Sequence, residues 1–203
     1  MTLHLKGPGF RDHYQQHIVT YAQQKPTLRP YFLTKDFYST GYRDAPTMCH
    51  RIFQLNALFY IRLVSALIKN YQRPGKRHLQ PRSFDFLDIP GSRQSVSPSQ
   101  LAMSEWPHIH SIIFIDPTIL PSFETLSQQR FQSITRFRYS DGTQPLLPLK
   151  SVDARPITHN LGGVVSYATK LFRTTGIMAL NGNATLFDQM PHSQSRSAAA
   201  THP

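Results

Sequence analysis

The sequence predicts an α+β fold, a β-sheet covered by helices, from three observations. Short runs rich in β-branched and aromatic residues, each bounded by Pro, Gly or Asp, recur along the chain and read as strands. One long segment repeats its apolar residues at spacings of three and four, the pattern of a core-packing helix. A length of 203 residues with 39% hydrophobic and 11% aromatic content suits one compact domain with a core and tails.

Residues 1–28 are polar and aromatic, and a short helix ended by Pro26 is expected there as an extension of the main domain. Arg29 to Phe37 reads as a strand, with Pro30 tolerated at its start. After a loop at Gly41, Asp44 and Pro46, Thr47 is expected to cap a helix running to about Tyr71. Met48, Ile52, Leu55, Phe59, Leu63 and Ala66 form its apolar face, and Arg51, Gln54, Arg62, Ser65 and Lys69 a polar stripe. Pro74-Gly75 breaks the chain, and Lys76-Arg77-His78 leads into a second strand from Ser83 to Ile89. Ser92 to Ser104 reads as a loop. Trp106 to Ile115 reads as a buried strand, since five of its last seven residues are β-branched or aromatic and apolar. A helix from Ser122 to Ser133 follows, with Phe123, Leu126 and Phe131 on one face, then a strand from Ser151 to Ile157. The last helix starts at His159, or only after Gly163, and runs to Arg173 before Gly176 ends it. The main domain is therefore placed at 29–180, and 181–203 is expected to be a disordered polar tail.

Lys and Arg outnumber Asp and Glu by 22 to 11, for a formal charge of +11 and a pI near 10.1, which suits a polyanionic partner such as nucleic acid. Arg73, Lys76 and Arg77 head the candidates for phosphate contacts, in a region where only Asp85 and Asp88 oppose them. Tyr31, Phe37 and Tyr42 are candidate surfaces for stacked bases, weighed against the ordinary role of strand aromatics in the core. The single Cys49 excludes an intrachain disulfide and a multi-cysteine zinc module. Met1 to Thr20 carry no apolar segment of a secretory leader, and the most apolar helix is interrupted by Arg51, Arg62 and Lys69. A cytoplasmic protein without a membrane partner is expected.

His108 and His110 are separated by one residue on the buried strand, so both imidazoles project from the same face while Ile109 points the other way. Two imidazoles on a rigid strand are two corners of a divalent-metal site that needs a carboxylate from a neighbouring element. Asp88 is the first choice, at the end of the apolar run from Phe84. Asp85 lies on the same strand with different facing, and Glu105 lies in the approach loop. Two imidazoles with one hard oxygen suit Mg²⁺ or Mn²⁺ better than a closed zinc site.

Phe32-Leu33-Thr34, His108-Ile109-His110 and Tyr167-Ala168-Thr169-Lys170, in this order, resemble the three motifs of the HUH endonucleases. That superfamily includes rolling-circle replication initiators, plasmid relaxases and some single-strand transposases. The likeness spans Arg29 to Arg173. It departs from the family at Ser111, where many relatives carry glycine, and it does not fix the third metal ligand. No helicase-like segment follows, so a separate helicase is expected as a partner.

The resemblance implies a central antiparallel sheet of about four to five strands with flanking helices. It also implies a metal-dependent nickase and ligase acting on single-stranded DNA at an origin-like or hairpin site of a mobile genetic element. His108 and His110 would hold the ion, Tyr167 would attack phosphorus to give a 5′-phosphotyrosine, and Lys170 would orient the phosphate or stabilise the phenolate. Two rival readings stay open: a catalytically inactive single-strand binder of the same fold, and a metal-dependent hydrolase that activates water. Each residue also has an ordinary alternative, Tyr167 as a packing side chain and Lys170 as a solvated one.

Overall fold

Strand alternation decides which side chains meet, and the computed structural model, which describes residues 9–37, 45–88, 108–135, 149–172 and 187–191, shows how. Five strands form one antiparallel sheet: β1 (Arg29–Phe37), β2 (Arg82–Asp88), β3 (His108–Ile115), β4 (Leu149–Pro156) and β5 (Phe187–Met190). Their spatial order is β4-β1-β3-β2-β5, with β3 at the centre. Every pairing is antiparallel. The fold class expected from the sequence is the one observed.

Each face of the sheet is covered by helices, which is why β2 and β3 are buried almost throughout. One face carries Leu33, Leu87, Ile109, Ile113 and Ile115 and packs on α2 (Ala45–Leu67), α3 (Leu120–Gln128) and α4 (Gln132–Thr135). In α2, Ile52, Leu55, Phe59 and Leu63 are buried as their spacing predicts, while Met48 lies at the margin and Ala66 faces outward. The other face carries Phe84, Phe86, Ile112 and Phe114, covered by α1 (Gly9–Gln24) and α5 (Leu161–Ala168).

Several expectations need correction. The helix in 1–28 is no mere extension, because Ile18 of α1 is fully buried among Phe84, Phe86, Ile112 and Phe114. Tyr21 packs edge-on against Phe84 and Phe114 there. Residues 187–190, assigned to the tail, instead pair with β2 from Ser83↔Met190 to Phe86↔Phe187, and Met190 is buried. α2 begins at Ala45, so Thr47 lies within its first turn and does not cap it. The helix expected over 122–133 is broken by Arg130 and Phe131, both at positive φ, which lets the Phe131 ring drop between Phe59 and Phe123. The last helix stops at Ala168 and continues as a 3₁₀ turn, Lys170–Phe172. Among the described residues, no helix is long and apolar enough to cross a membrane.

Candidate metal and tyrosine site

The site lies on the α1/α5 face at the end of β2 and the start of β3. Antiparallel register sets Asp88 directly opposite His108 and Phe86 opposite His110. Asp88 shares its face with Phe84 and Phe86 by the two-residue period, and the two histidines share theirs with Ile112 and Phe114. All three site residues therefore converge. His108 Nε2 lies 2.7 Å and His110 Nε2 3.0 Å from the same Asp88 carboxylate oxygen, Oδ2.

One ligand atom from each of Asp88, His108 and His110 can be chosen so that all lie within 4.8 Å of one another. This cluster could hold a metal ion: the donor set is two imidazoles and one carboxylate, and His108 is partly open to solvent. Of the carboxylates weighed as the third ligand, Asp88 is the one that, among the described residues, lies against the histidines. Asp85 points to the opposite face, where it takes the ammonium of Lys35 and the hydroxyls of Ser83 and Ser111. Glu105 lies outside the described residues.

β1 contributes the outer partner of His110. Thr34 pairs with His110 across the ladder, and its hydroxyl lies 3.3 Å from Nδ1. Such a contact fixes ring orientation and tautomer in metal-binding histidines. Thr34 belongs to the Leu-Thr pair singled out in the sequence, yet no role was assigned to it there. Its place beside the histidine strand was the available signal.

Tyr167 and Lys170 come from the other side, at the end of α5. Asn160, in the left-handed region at φ 51°, caps this helix by accepting a hydrogen bond from the Gly163 amide. A Cβ at Gly163 would collide with the Asn160 side-chain amide, so glycine is what permits the cap. The Tyr167 ring lies tilted 5.2 Å from the His110 ring and edge-on to Phe32 at 5.9 Å. It remains 38% exposed. The Lys170 ammonium sits 4.5 Å from the Tyr167 ring centroid. That ammonium also lies 2.7 Å from Asp88 Oδ2, the oxygen the two histidines share.

Electrostatics follow from this crowding. Burial pushes the Asp88 carboxyl up, but hydrogen bonds from His108, His110 and Lys170 outweigh it and hold the carboxyl well below the usual range. Burial lowers His110, the charges of His108 and Lys170 lower it further, and the Asp88 carboxylate only partly offsets them. The pair is thus an ionised carboxylate beside a neutral imidazole, the protonation state a metal requires of both. A neutral His110 that donates from Nε2 to Asp88 accepts from Thr34 at Nδ1. To ligate through Nε2 it would carry the proton on Nδ1 and donate to the Thr34 oxygen.

The basic stretch is placed elsewhere. Arg73, Lys76 and Arg77 are exposed on a 3₁₀ turn, Pro74–Leu79, that feeds β2 at Arg82. From Arg82 to Asp88 the strand rises roughly 20 Å. His78 of that turn acts electrostatically on Asp116, just beyond the exit of β3. These residues therefore lie at the far end of the sheet from the histidines. Tyr31 and Phe37, weighed as stacking surfaces, are buried on the α2 face, Tyr31 against Phe123 with its hydroxyl donating to Glu124. Tyr42 falls outside the described residues.

Comparison with known protein families, with curated proteins and with solved structures finds no match.

Proposed function

We propose that this protein is a metal-dependent single-strand DNA endonuclease and ligase of the HUH kind, using Tyr167 as its nucleophile. One observation carries the reading: Asp88 and two histidines from adjacent strands converge, and Tyr167 and Lys170 from a separate helix end pack against them. The three sequence motifs lie far apart in the chain, and Thr34, His110, Tyr167 and Lys170 fall within one contact network. That convergence is what such chemistry needs and what scattered packing residues would have no reason to share.

Asp88, His108 and His110 would hold Mg²⁺ or Mn²⁺, which supplies polarisation of a non-bridging phosphate oxygen. Tyr167 attacks phosphorus in line with the 3′-oxygen. One P–O bond forms to the phenol oxygen, the P–O3′ bond breaks, the phenol loses its proton and the leaving 3′-oxygen gains one. The products are a 5′-phosphotyrosine and a 3′-hydroxyl, and attack by that hydroxyl reverses the step and reseals the strand. Lys170, beside the ring, offsets negative charge as it develops on phosphate and phenolate. Thr34 keeps His110 oriented. The water-activating hydrolase gives no role to a half-exposed tyrosine stacked beside His110, so the nickase is favoured over it.

The test is a covalent trap. The 203-residue protein incubated with a pool of 5′-labelled and 3′-labelled single strands and Mn²⁺, then denatured, should carry DNA through the new 5′ end. Tyr167→Phe keeps the ring and its packing, so the fold should be unchanged while the adduct disappears. A wild type that cleaves without ever forming an adduct makes water the attacker. One that binds single strands and cleaves none makes this a binding protein.

A further inference from the structure

Beside Tyr167 lies a cleft of about 420 Å³ whose walls include neither Asp88 nor the two histidines, so the proposed metal chemistry leaves it unused. Its apolar walls are Phe32, Pro156, Ile157, Val164 and the ring of Tyr167 itself, and Arg155 stands among its polar groups. The geometry points to a subsite for one unstacked nucleotide of the substrate strand, the one adjoining the phosphate that Tyr167 attacks. This deepens the single-strand reading above and rests on it.

Size and chemistry both fit. The cleft lies at the lower end of the range for small-ligand sites, roughly 300–1,000 Å³, enough for one nucleotide but not for a paired duplex. A base can reach such a cleft only when lifted from its stack, which a single strand permits at small cost. Aromatic and apolar walls suit the faces of a base. Phe32 joins the two parts of the site, because its ring lies 5.0 Å from the His110 ring and 5.9 Å from the Tyr167 ring. A base held against Phe32 and Tyr167 is thus continuous with the histidine cluster.

Arg155 supplies the complementary charge. Its guanidinium pairs with Asp153 at 2.8 Å, but both side chains are largely exposed. An exposed pair contributes little and exchanges readily for a phosphate. The backbone amide of Ile157 is tied to the Pro30 carbonyl, which anchors this wall to β1, the strand that carries Phe32 and Thr34. The subsite therefore rests on the same strand, β1, as Thr34, the hydrogen-bonding partner of His110.

The probes are the four deoxynucleoside 5′-monophosphates, titrated into the ¹⁵N-labelled full chain without metal, with 2-deoxyribose 5-phosphate as the control that lacks a base. At least one nucleotide should cause saturable shifts at Ile157, Gly163 and Val164 that the control does not cause. Val164→Trp fills the cleft and should weaken that binding about tenfold or more, the scale of one lost stacking contact. Arg155→Glu, at an exposed side chain, should weaken nucleotides several-fold while leaving the parent nucleosides unchanged, and it carries the test alone if Val164→Trp does not fold. Shifts that never saturate, that the control reproduces, or that ignore the Arg155 change overturn the subsite. The covalent trap separates this outcome from the function itself. Adduct formation without nucleotide binding removes the subsite and keeps the nickase, whereas nucleotide binding without an adduct keeps the subsite and removes the nickase.

Discussion

Asp88 Oδ2 receives three cationic or potentially cationic neighbours, His108, His110 and Lys170, within hydrogen-bonding distance. A metal ligated there must share that oxygen with, or take it from, the Lys170 ammonium. Even with the full screening of water, two unit charges about 4 Å apart interact by about 1 kcal/mol. Lys170→Met should therefore tighten Mn²⁺ binding by roughly fivefold or more on that scale, measured by calorimetry, while slowing adduct formation. Weaker Mn²⁺ binding in the variant would mean that the lysine supports the ion. The direction of the His110 shift gives a second test. Its folded-state pKa lies below the unfolded value of about 6.5, so the unfolded chain binds more protons in that window. Stability from this group is complete above about pH 6.5 and is lost as pH falls toward the folded value. Asp88 is also depressed, so its contribution is complete above about pH 4 and lost only in stronger acid. In chelator, the melting temperature of wild type should fall more steeply than that of His110→Gln between about pH 6.5 and 5. Parallel curves through that window would show that burial of His110 does not set the slope.

At the scale of elements, the sheet faces explain what the sequence disclosed and what it concealed. The two-residue period put His108 and His110 on one face and set Asp88 and Asp85 on opposite faces, but only the β2–β3 register, with Asp88 opposite His108, decides which aspartate meets the histidines. Lys35 was hidden by the same logic, because a lysine within a strand reads as a surface residue. It is instead 2% exposed, and its ammonium reaches Asp85 at 3.2 Å and the Asn56 side chain. That contact crosses β3, tying β1 to β2 on the face opposite Asp88 and the two histidines, with Ser111 bonded to the same Asp85 oxygen. A one-residue slip of either strand would turn one of these partners to the other face, so the pin specifies the register that aligns Thr34, His110 and Asp88. Lys35→Met leaves a buried carboxylate without its counter-charge and should cost about 3–5 kcal/mol in urea unfolding. Adding Asp85→Leu should recover most of that loss, because the cost lies in the unpaired charge. A double variant as unstable as the single would show that packing, not charge, is lost. Other features were illegible for ordinary reasons. β5 lies in a polar stretch with no strand period, α1 is too polar to announce its buried Ile18, and the cleft beside Tyr167 is assembled from a strand end, a loop and a helix that share no pattern.

Over the whole molecule, the path of a bound single strand, under the proposed function, is set by where the positive charge lies. The net charge of +11 makes steep salt dependence the expectation for any polyanion. The structure separates the histidine cluster from the basic stretch, since Arg73, Lys76 and Arg77 sit at the opposite end of β2 from Asp88. A strand bound at Tyr167 that also touches this turn must cross roughly 20 Å, the rise of β2. At about 3.4 Å per nucleotide in a stacked strand, that distance takes about six nucleotides beyond the site. The effect of charge reversal should then depend on length. Reversing Arg73, Lys76 and Arg77 together should weaken a 20-mer by an order of magnitude or more and flatten its salt slope by about two to three ion equivalents. A tetramer occupying only the site should bind wild type and variant equally. Those measurements require only fluorescence anisotropy at several salt concentrations, and no nicking sequence. Equal losses for both lengths would mean that the strand reaches the turn directly, along a path other than β2. No loss for either would remove the turn from the interface and leave the charge beside the site, Lys170 and Arg155, as the principal phosphate contacts.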